Sequence, residues 1–142
     1  MSLLFVYGTL KQGFSRNQAL KDQRYLGTAK TAPVYGMYAY GGFPALVDFK
    51  LAEESEVSAS NSIFGEVYEV TDTCILEIDK IEGVEFNLFE RKIVEIKSFT
   101  LLRLPLFQES WNHIEKNTAQ AYLFRRNLKG AANCGSFWAR GK

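Results

Sequence analysis

The stretch Leu3-Leu4-Phe5-Val6-Tyr7-Gly8-Thr9-Leu10-Lys11 decides how the rest of the chain is interpreted. Its apolar run, closed by Gly-Thr, predicts a short buried strand that passes into a turn. A strand ending in this way can leave several backbone N–H groups unpaired and pointing together, and such a nest binds a carboxylate or the oxyanion of an acyl-transfer intermediate. Gly8 would let the ligand approach the backbone closely. The stretch therefore indicates either an anion-binding turn formed by Tyr7, Gly8, Thr9 and Leu10, or an ordinary strand-to-turn transition.

The rest of the chain shows more strand patterns than helical ones. Strands are predicted at residues 34–40, 45–47, 63–70, 89–104 (as one strand or two) and 119–124. Helices are predicted at residues 16–22, 72–81 and 107–115, the second of them with N-cap chemistry from Thr71-Asp72 and closed by Gly83. Turn residues occupy 41–44, a polar, acidic loop covers residues 50–61, and the tail from residue 130 carries Phe137 and Trp138, which could dock on the body. Because evenly spaced βαβ units are missing, the pattern predicts an α+β fold with a mainly antiparallel sheet, open or closed.

The composition is that of one ordinary globular domain. Of 142 residues, 46% are hydrophobic and 23% are charged, so residues 1–142 can bury a core as a single domain without metal or disulfides. Lys and Arg total 17 against 16 Asp and Glu, which leaves a net charge of +1. Nucleic-acid binders normally carry a basic excess that displaces counterions from phosphate. Nucleic acid is therefore not an expected partner.

Cysteines and the single histidine restrict the chemistry further. Cys74 and Cys134 are too few for a disulfide framework and lack the histidines of a zinc site, which indicates free thiols in a reducing compartment and no metal. No basic leader precedes the first apolar run, which is too short to span a bilayer, so a cytoplasmic protein with no membrane partner is expected. His113 lies in a polar stretch typical of the surface, which disfavours a histidine-activated nucleophile and leaves carboxylates as the candidate acids and bases.

The most informative carboxylate is Glu82, in the segment Asp79-Lys80-Ile81-Glu82-Gly83. The predicted helix ends there, where the negative end of the helix dipole is unfavourable for a carboxylate and would raise its pKa. A glutamate with a raised pKa is a better general base near neutral pH, and local rules are most often broken at functional sites. Glu82 is therefore a candidate general base. The alternative is an exposed glutamate that tolerates a small penalty, and Glu85 and Glu90 are nearby competitors for the same role.

Four ordered segments form a recognisable combination. They are Phe5-Val6-Tyr7-Gly8-Thr9-Leu10-Lys11-Gln12-Gly13, Phe43-Pro44-Ala45-Leu46-Val47, Ile63-Phe64-Gly65-Glu66-Val67-Tyr68, and Ile78-Asp79-Lys80-Ile81-Glu82-Gly83 with Phe89-Glu90-Arg91 following. A Tyr-Gly-Thr-Leu run alone is a weak signal, whereas the ordered set is more specific. The chain thereby resembles the γ-glutamylcyclotransferase family, also called AIG2-like. Its short size and opening motif are closest to the γ-glutamylamine cyclotransferase branch.

The resemblance implies a small β-barrel flanked by short helices, with Glu82 as the base and the loop from Tyr7 to Leu10 cradling a γ-glutamyl group. The implied reaction releases 5-oxoproline and a free amine from a γ-glutamylamine or related amide, with no cofactor. Glu82 would take a proton from the substrate's α-ammonium, whose nitrogen then attacks the γ-carbonyl. Because the ring closure is intramolecular, positioning supplies much of the acceleration. A small γ-glutamyl molecule is the expected partner, and the oligomeric state is left open.

Two positions depart from the family's usual pattern. An Asn usually follows the first motif's glycine closely, and here Phe14-Ser15-Arg16-Asn17 follows, so either Asn17 is displaced by one position or Arg16 changes what the pocket accepts. Phe89 stands where many members have Tyr, which removes a hydroxyl. The alternatives to the cyclotransferase are an enzyme that removes a γ-glutamyl protecting group in a biosynthetic pathway, a domain that binds a small carboxylate ligand without catalysis, and a protein-interaction domain.

Overall fold

The opening strand organises the fold, as the apolar run predicts. A computed structural model describes residues 1–48, 61–128 and 131–139, so the predicted loop at 50–61 lies, apart from Asn61, outside the described residues. Strand β1 (Ser2–Val6) is buried along its whole length. It pairs antiparallel with β5 (Phe64–Val70) on one side and parallel with β7 (Thr118–Phe124) on the other. A strand enclosed in this way is apolar on both faces, which explains its continuous hydrophobic run.

The described residues form a closed barrel and a small second sheet. The barrel order is β1-β5-β2-β6-β7, with β2 at Arg24–Thr31 and β6 at Phe89–Leu101. Its pairs are antiparallel apart from β1 with β7. The second sheet has the order β4-β3-β8, with β3 at Tyr35–Tyr40, β4 at Phe43–Asp48 and β8 at Ala132–Asn133. The predicted α+β fold with a mainly antiparallel barrel is confirmed, whereas the turn predicted at 41–44 is wrong in its second half, because Phe43 and Pro44 begin β4.

Strand β2 is not predicted by its own sequence pattern. A bulge between Tyr25 and Gly27 shifts its register against β5 and so interrupts the alternation of side chains. Gly27 has φ 145°, and a Cβ there would lie 2.2 Å from the carbonyl oxygen of Thr100 on β6. The strand is therefore defined by its pairing with β5 and β6 rather than by local hydropathy.

Two of the three predicted helices are confirmed, as α1 (Asp72–Ile81) and α2 (Gln108–Glu115). Thr71 caps α1 by accepting a hydrogen bond from the Cys74 N–H, and Gly83 follows the helix in the left-handed conformation. The helix predicted at 16–22 is instead a short 3₁₀ turn at Asn17–Leu20. Neither α-helix, nor any other within the described ranges, has the length and hydrophobicity to cross a membrane.

Two buried clusters support the site from both faces of β1. Leu3 and Phe5 belong to a cluster that includes residues of every barrel strand, while Leu4 and Val6 join a second cluster that contains Ile75 and Ile78 of α1. The alternation along β1 therefore connects the barrel to the helix that ends at Glu82.

The tail at residues 131–139 docks on the body, as its aromatic residues predict. Trp138 is buried, and its carbonyl oxygen accepts a hydrogen bond of 2.7 Å from the Lys11 ammonium, which is itself buried. The Phe64 N–H donates to the carbonyl oxygen of Ser136 at 2.8 Å, and β8 pairs with β3. The tail therefore contacts the loop that follows β1, the start of β5 and the second sheet.

Candidate active site

The loop after β1 is closed by hydrogen bonds to its own carbonyl oxygens. The Lys11 N–H donates to the Gly8 carbonyl at 3.0 Å, and the Arg16 N–H donates to the Thr9 carbonyl at 2.8 Å. The Asn17 side-chain amide donates to the Leu10 carbonyl at 2.8 Å. In the described part of the chain, no hydrogen bond has the N–H of Thr9 or Leu10 as its donor. These two groups therefore remain available as a pair of neighbouring donors, as the nest interpretation requires.

A narrow pocket of about 30 Å³ opens beside this loop. It brings together every residue that the sequence singles out as catalytic or substrate-binding, namely Tyr7, Gly8, Thr9, Leu10 and Glu82. The remaining lining comes from β1, from the residue before the 3₁₀ turn and from strands β4, β6 and β7, as Phe5, Val6, Arg16, Phe43, Pro44, Phe89 and Tyr122. The pocket therefore lies where the end of β1, the end of α1 and the start of β4 converge.

Gly8 is needed for packing against the protein itself. A Cβ at this position would lie 2.3 Å from Cγ of Pro44, and the Pro44 ring covers the site where it would stand. The close approach to the Gly8 backbone is therefore that of Pro44 of β4. This contact brings the first motif and the second together at the wall of the pocket.

Glu82 is a buried carboxylate in the pocket wall. It follows α1 directly and its N–H donates to the Ile78 carbonyl, so the end of the helix fixes its backbone. The residue is only 7% exposed, and burial raises the pKa of its carboxyl to about 7, against the opposing effect of the positive Arg16. Its carboxylate oxygen lies 3.6 Å from the Arg16 guanidinium, whose side chain is 42% exposed. A group with this pKa can both accept and return a proton at neutral pH.

The raised pKa of Glu82 is therefore confirmed in direction, but its main cause is burial, whereas the sequence reasoning attributes it to the helix dipole. The exposed-glutamate alternative is wrong for this residue. The two competing glutamates lie outside the pocket lining: Glu85 is exposed, and Glu90 is paired with Arg125.

Two tyrosines surround the carboxylate. The Tyr7 hydroxyl donates to the backbone carbonyl of Tyr122 at 2.7 Å, and burial followed by the nearby Glu82 charge raises the pKa of Tyr7 well above its ordinary value. The Tyr122 hydroxyl donates to Asp79 at 2.6 Å, and burial is again the largest cause of its raised pKa. Both hydroxyls stay protonated at neutral pH and are already engaged, so they hold the pocket walls in place rather than act as bases.

Phe89 and Phe43 form an aromatic wall. Their ring centroids lie 5.7 Å apart, and Phe89 also packs on Phe124 at 5.5 Å. Phe89 is buried, so the position where the resemblance leads one to expect a hydroxyl is apolar here. Sequence reasoning missed Tyr122 as a pocket residue, because it lies within an ordinary apolar strand pattern and only the pairing of β6 with β7 brings it beside Glu82.

Other candidate chemistry lies elsewhere. His113 is half-buried rather than fully exposed, and its Nδ1 lies 2.8 Å from the Thr118 hydroxyl, away from the pocket lining. Within the described ranges, no three His, Cys, Asp or Glu side chains are grouped so as to hold a metal ion.

Solved structures share the fold of this chain. An uncharacterized protein from Pyrococcus horikoshii matches 96% of the chain and 87% of its own length, with 19% sequence identity and a TM-score of 0.65. An AIG2-like protein from Mus musculus matches 89% of the chain and 77% of its own length, with 18% identity and a TM-score of 0.62. At these identities the likeness establishes the fold alone.

Sequence comparisons identify the family. A protein from Vibrio cholerae named "Putative gamma-glutamylcyclotransferase" is 35% identical over 108 residues, which is 76% of this chain and 84% of that protein. A similarly named protein from Methanocaldococcus jannaschii is 36% identical over 97 residues, covering 68% of this chain and 72% of that protein. The family model described as "Gamma-glutamyl cyclotransferase, AIG2-like" matches residues 4–137, and the chain therefore belongs to the AIG2-like gamma-glutamyl cyclotransferase family.

Proposed function

We propose that this protein is a cofactor-independent γ-glutamylcyclotransferase that releases 5-oxoproline and a free amine from a γ-glutamylamine or a related γ-glutamyl amide. The single observation that supports this most strongly is Glu82, a buried carboxylate whose pKa is raised to about 7 and which faces the pocket formed by the first motif. Family membership and the similarly named relatives support the same reaction class. A small γ-glutamyl molecule is thus the proposed partner.

Glu82 would act as the base and then as the acid. Its carboxylate takes a proton from the α-ammonium of the substrate, which frees the nitrogen lone pair to attack the γ-carbonyl carbon. A carbon–nitrogen bond forms, and the carbonyl electrons move to oxygen to give a tetrahedral oxyanion. When that oxyanion collapses, the bond to the departing amine breaks and Glu82 returns the first proton to the amine nitrogen. Glu82 then takes the second proton from the attacking nitrogen, which becomes the ring N–H of 5-oxoproline, and this proton leaves on the free amine as its ammonium form. No water, oxidant or covalent intermediate with the enzyme is required.

The loop N–H groups would stabilise the charge that develops on the carbonyl oxygen. The Thr9 and Leu10 N–H groups have no acceptor among the described residues, and the loop is held by the Arg16 and Asn17 hydrogen bonds. Donors fixed before the reaction need no reorganisation when the oxyanion forms, which is the usual source of such stabilisation. Tyr7, Gly8, Thr9 and Leu10 are therefore assigned to substrate binding.

The experiment is release of 5-oxoproline by the wild type and by Glu82→Gln, measured on γ-glutamyl-ε-lysine, γ-glutamyl-alanine and glutathione. Glutamine keeps the size of the side chain but cannot exchange a proton, so we expect turnover to fall by about 100-fold or more, the usual contribution of general acid–base catalysis. Glu85→Gln changes a neighbouring exposed glutamate in the same way and should keep the wild-type rate.

A Glu82→Gln variant with full turnover would contradict the assigned role of Glu82. If the folded wild type released no product from any of the three compounds, the proposed reaction would be rejected. Thermal stabilisation by the same compounds would then support the binding-domain alternative.

A further inference from the structure

Arg16 and Glu82 are the charged residues of the pocket. Among the described residues that line it, Arg16 is the one cation and Glu82 the one carboxylate, with 3.6 Å between guanidinium nitrogen and carboxylate oxygen. The Arg16 backbone is fixed because its N–H donates a hydrogen bond to the Thr9 carbonyl oxygen. The side chain of the next residue, Asn17, donates to the carbonyl oxygen of Leu10. The guanidinium thus lies 3.6 Å from the buried carboxylate on a side chain that is itself 42% exposed.

The Arg16–Glu82 pair is poorly suited to stabilise the fold. Its separation exceeds that of a normal charge-assisted hydrogen bond, and the Arg16 side chain is 42% exposed. The guanidinium is therefore not held to Glu82 by a close hydrogen bond, and its partly exposed side chain is accessible to a second anion. A pocket that holds one cation and one carboxylate side by side is complementary to a ligand that carries the opposite charges side by side.

The γ-glutamyl group carries such a pair of charges, because its α-ammonium and α-carboxylate are bonded to the same carbon. When the α-ammonium lies at Glu82, it also lies close to the positive Arg16, which repels it unless an anion stands between them. The α-carboxylate of the substrate is the anion nearest to that position. The planar guanidinium donates two parallel hydrogen bonds to a carboxylate, a geometry that lysine cannot reproduce.

We propose that Arg16 binds the α-carboxylate of the γ-glutamyl group, so that Arg16 and Glu82 together select the amino-acid end of the substrate. This inference rests on the proposed function for the identity of the ligand. It assigns the carboxylate to the guanidinium and leaves the N–H groups of Thr9 and Leu10 for the oxyanion.

The kinetic test compares γ-glutamyl-alanine with N-(4-aminobutanoyl)-alanine, which lacks only the α-carboxylate and cyclises to 2-pyrrolidinone. Arg16→Met should lower kcat/KM on γ-glutamyl-alanine by about 10- to 100-fold, the loss typical of a hydrogen bond between charged groups, and should not lower it on the second substrate, whose ammonium Arg16 repels. Arg16→Lys should recover part of the loss. Arg103→Met alters an exposed arginine outside the pocket lining and should behave as the wild type on both compounds.

A calorimetric titration with 5-oxoproline and with 2-pyrrolidinone provides a second test that needs no turnover. The wild type should bind 5-oxoproline more tightly, and Arg16→Met should reduce that preference by the same 10- to 100-fold factor, which is about 1.4–2.8 kcal/mol. Equal losses on both ligands, or an unchanged preference in Arg16→Met, would overturn the role of Arg16 while the reaction stands. If the wild type preferred 5-oxoproline, lost that preference in Arg16→Met, and yet showed no turnover, the proposed reaction would be rejected. The assignment of Arg16 as the carboxylate-binding residue would then stand. If the wild type showed neither turnover nor binding of 5-oxoproline, the proposed reaction and the role of Arg16 would both be rejected.

Discussion

At the scale of single residues, burial of the Glu82 carboxylate lowers the stability of the folded state when that group is ionised. An ordinary glutamate has a pKa of 4.5, and burial raises that of Glu82 to about 7. The folded state therefore binds a proton that the unfolded state has already lost across the pH range between these values. This favours folding at low pH and opposes it when both states are ionised. The penalty is the cost of holding a proton acceptor in a pocket from which water is largely excluded.

The penalty at Glu82 predicts a pH-dependent difference in stability between the wild type and Glu82→Gln. The stabilisation from the protonated carboxyl is fully present below pH 4.5 and is lost as pH rises through about 7, whereas glutamine does not titrate. Relative to the wild type, Glu82→Gln should gain about 2–3 kcal/mol in free energy of unfolding between about pH 4.5 and about pH 8. Urea unfolding of both proteins at the two pH values measures it, and Glu85→Gln is the matched control. A constant difference would show that burial does not perturb Glu82.

At the scale of elements, the end of α1 is anchored to the barrel by one charged network. Asp79 accepts hydrogen bonds from the Arg91 guanidinium of β6 at 2.9 and 3.1 Å, and from the Tyr122 hydroxyl of β7 at 2.6 Å. Asp79 is one turn before Glu82, so the same contacts hold the last turn of the helix and the candidate base. The network links three elements that meet at the pocket.

The network predicts that Arg91→Met is more damaging than loss of a surface ion pair on the same helix. Removing Arg91 leaves Asp79, which is 18% exposed at its side chain, without its cation, and should lower the free energy of unfolding by about 2 kcal/mol. The rate of 5-oxoproline release should fall with it, because the end of α1 loosens.

Lys80→Ala is the matched control, since Lys80 and Glu77 form a mostly exposed pair. It should cost at most about 0.5 kcal/mol. Urea unfolding and the rate of 5-oxoproline release, measured for both variants, distinguish loss of the network from loss of a surface ion pair. Equal effects of Arg91→Met and Lys80→Ala would show that the network does not hold the helix end.

Most elements of the fold are predictable from local sequence, because their signals are local. The cap at Thr71 and the Gly83 stop define α1, and the apolar runs of β1 and β5 define strands without reference to their partners. Strand β2 and the two-residue β8 are exceptions, since each depends on pairing with distant strands. Barrel closure is likewise a long-range property, and it entered the prediction only through the resemblance to a family.

The candidate site divides in the same way. Glu82 and the loop from Tyr7 to Leu10 carry local signals, and the structure places all of them in one pocket. The cause of the raised pKa of Glu82 was not predictable, since burial depends on how β4, β6 and β7 cover the end of α1. The contact between Gly8 and Pro44 joins two distant segments, so only the folded chain shows why glycine is required there.

At the scale of the whole molecule, the tail secures the loop that follows β1. Trp138 is 4% exposed and belongs to the buried cluster that contains Leu3 and Phe5. Its carbonyl oxygen accepts a hydrogen bond from the Lys11 ammonium. That ammonium also lies 3.7 Å from the centroid of the Phe137 ring. Because Lys11 follows the Tyr7–Leu10 segment directly, the tail and the pocket loop share one anchor.

Trp138→Ala should therefore destabilise the whole protein and not only the tail. Removing a buried tryptophan side chain should lower the free energy of unfolding by about 3–5 kcal/mol. Phe137→Ala removes a neighbouring aromatic ring that is 57% exposed and should cost about 1 kcal/mol or less. Chemical unfolding measures the difference, and limited proteolysis reports whether the tail detaches. Equal, small losses in the two variants would show that the tail packs without supporting the barrel.

The parallel pairing of β1 with β7 has a consequence for how the protein is made. Strand β1 precedes both of its neighbours, β5 and β7, in the chain, so the backbone N–H and C=O groups on its β7 side stay unpaired until β7 has been synthesised. Until then the nascent chain carries an open, hydrophobic strand edge, which is the kind of segment that associates with other chains. Barrel closure is thus a late event in biosynthesis, because it requires β7, the last barrel strand in the chain.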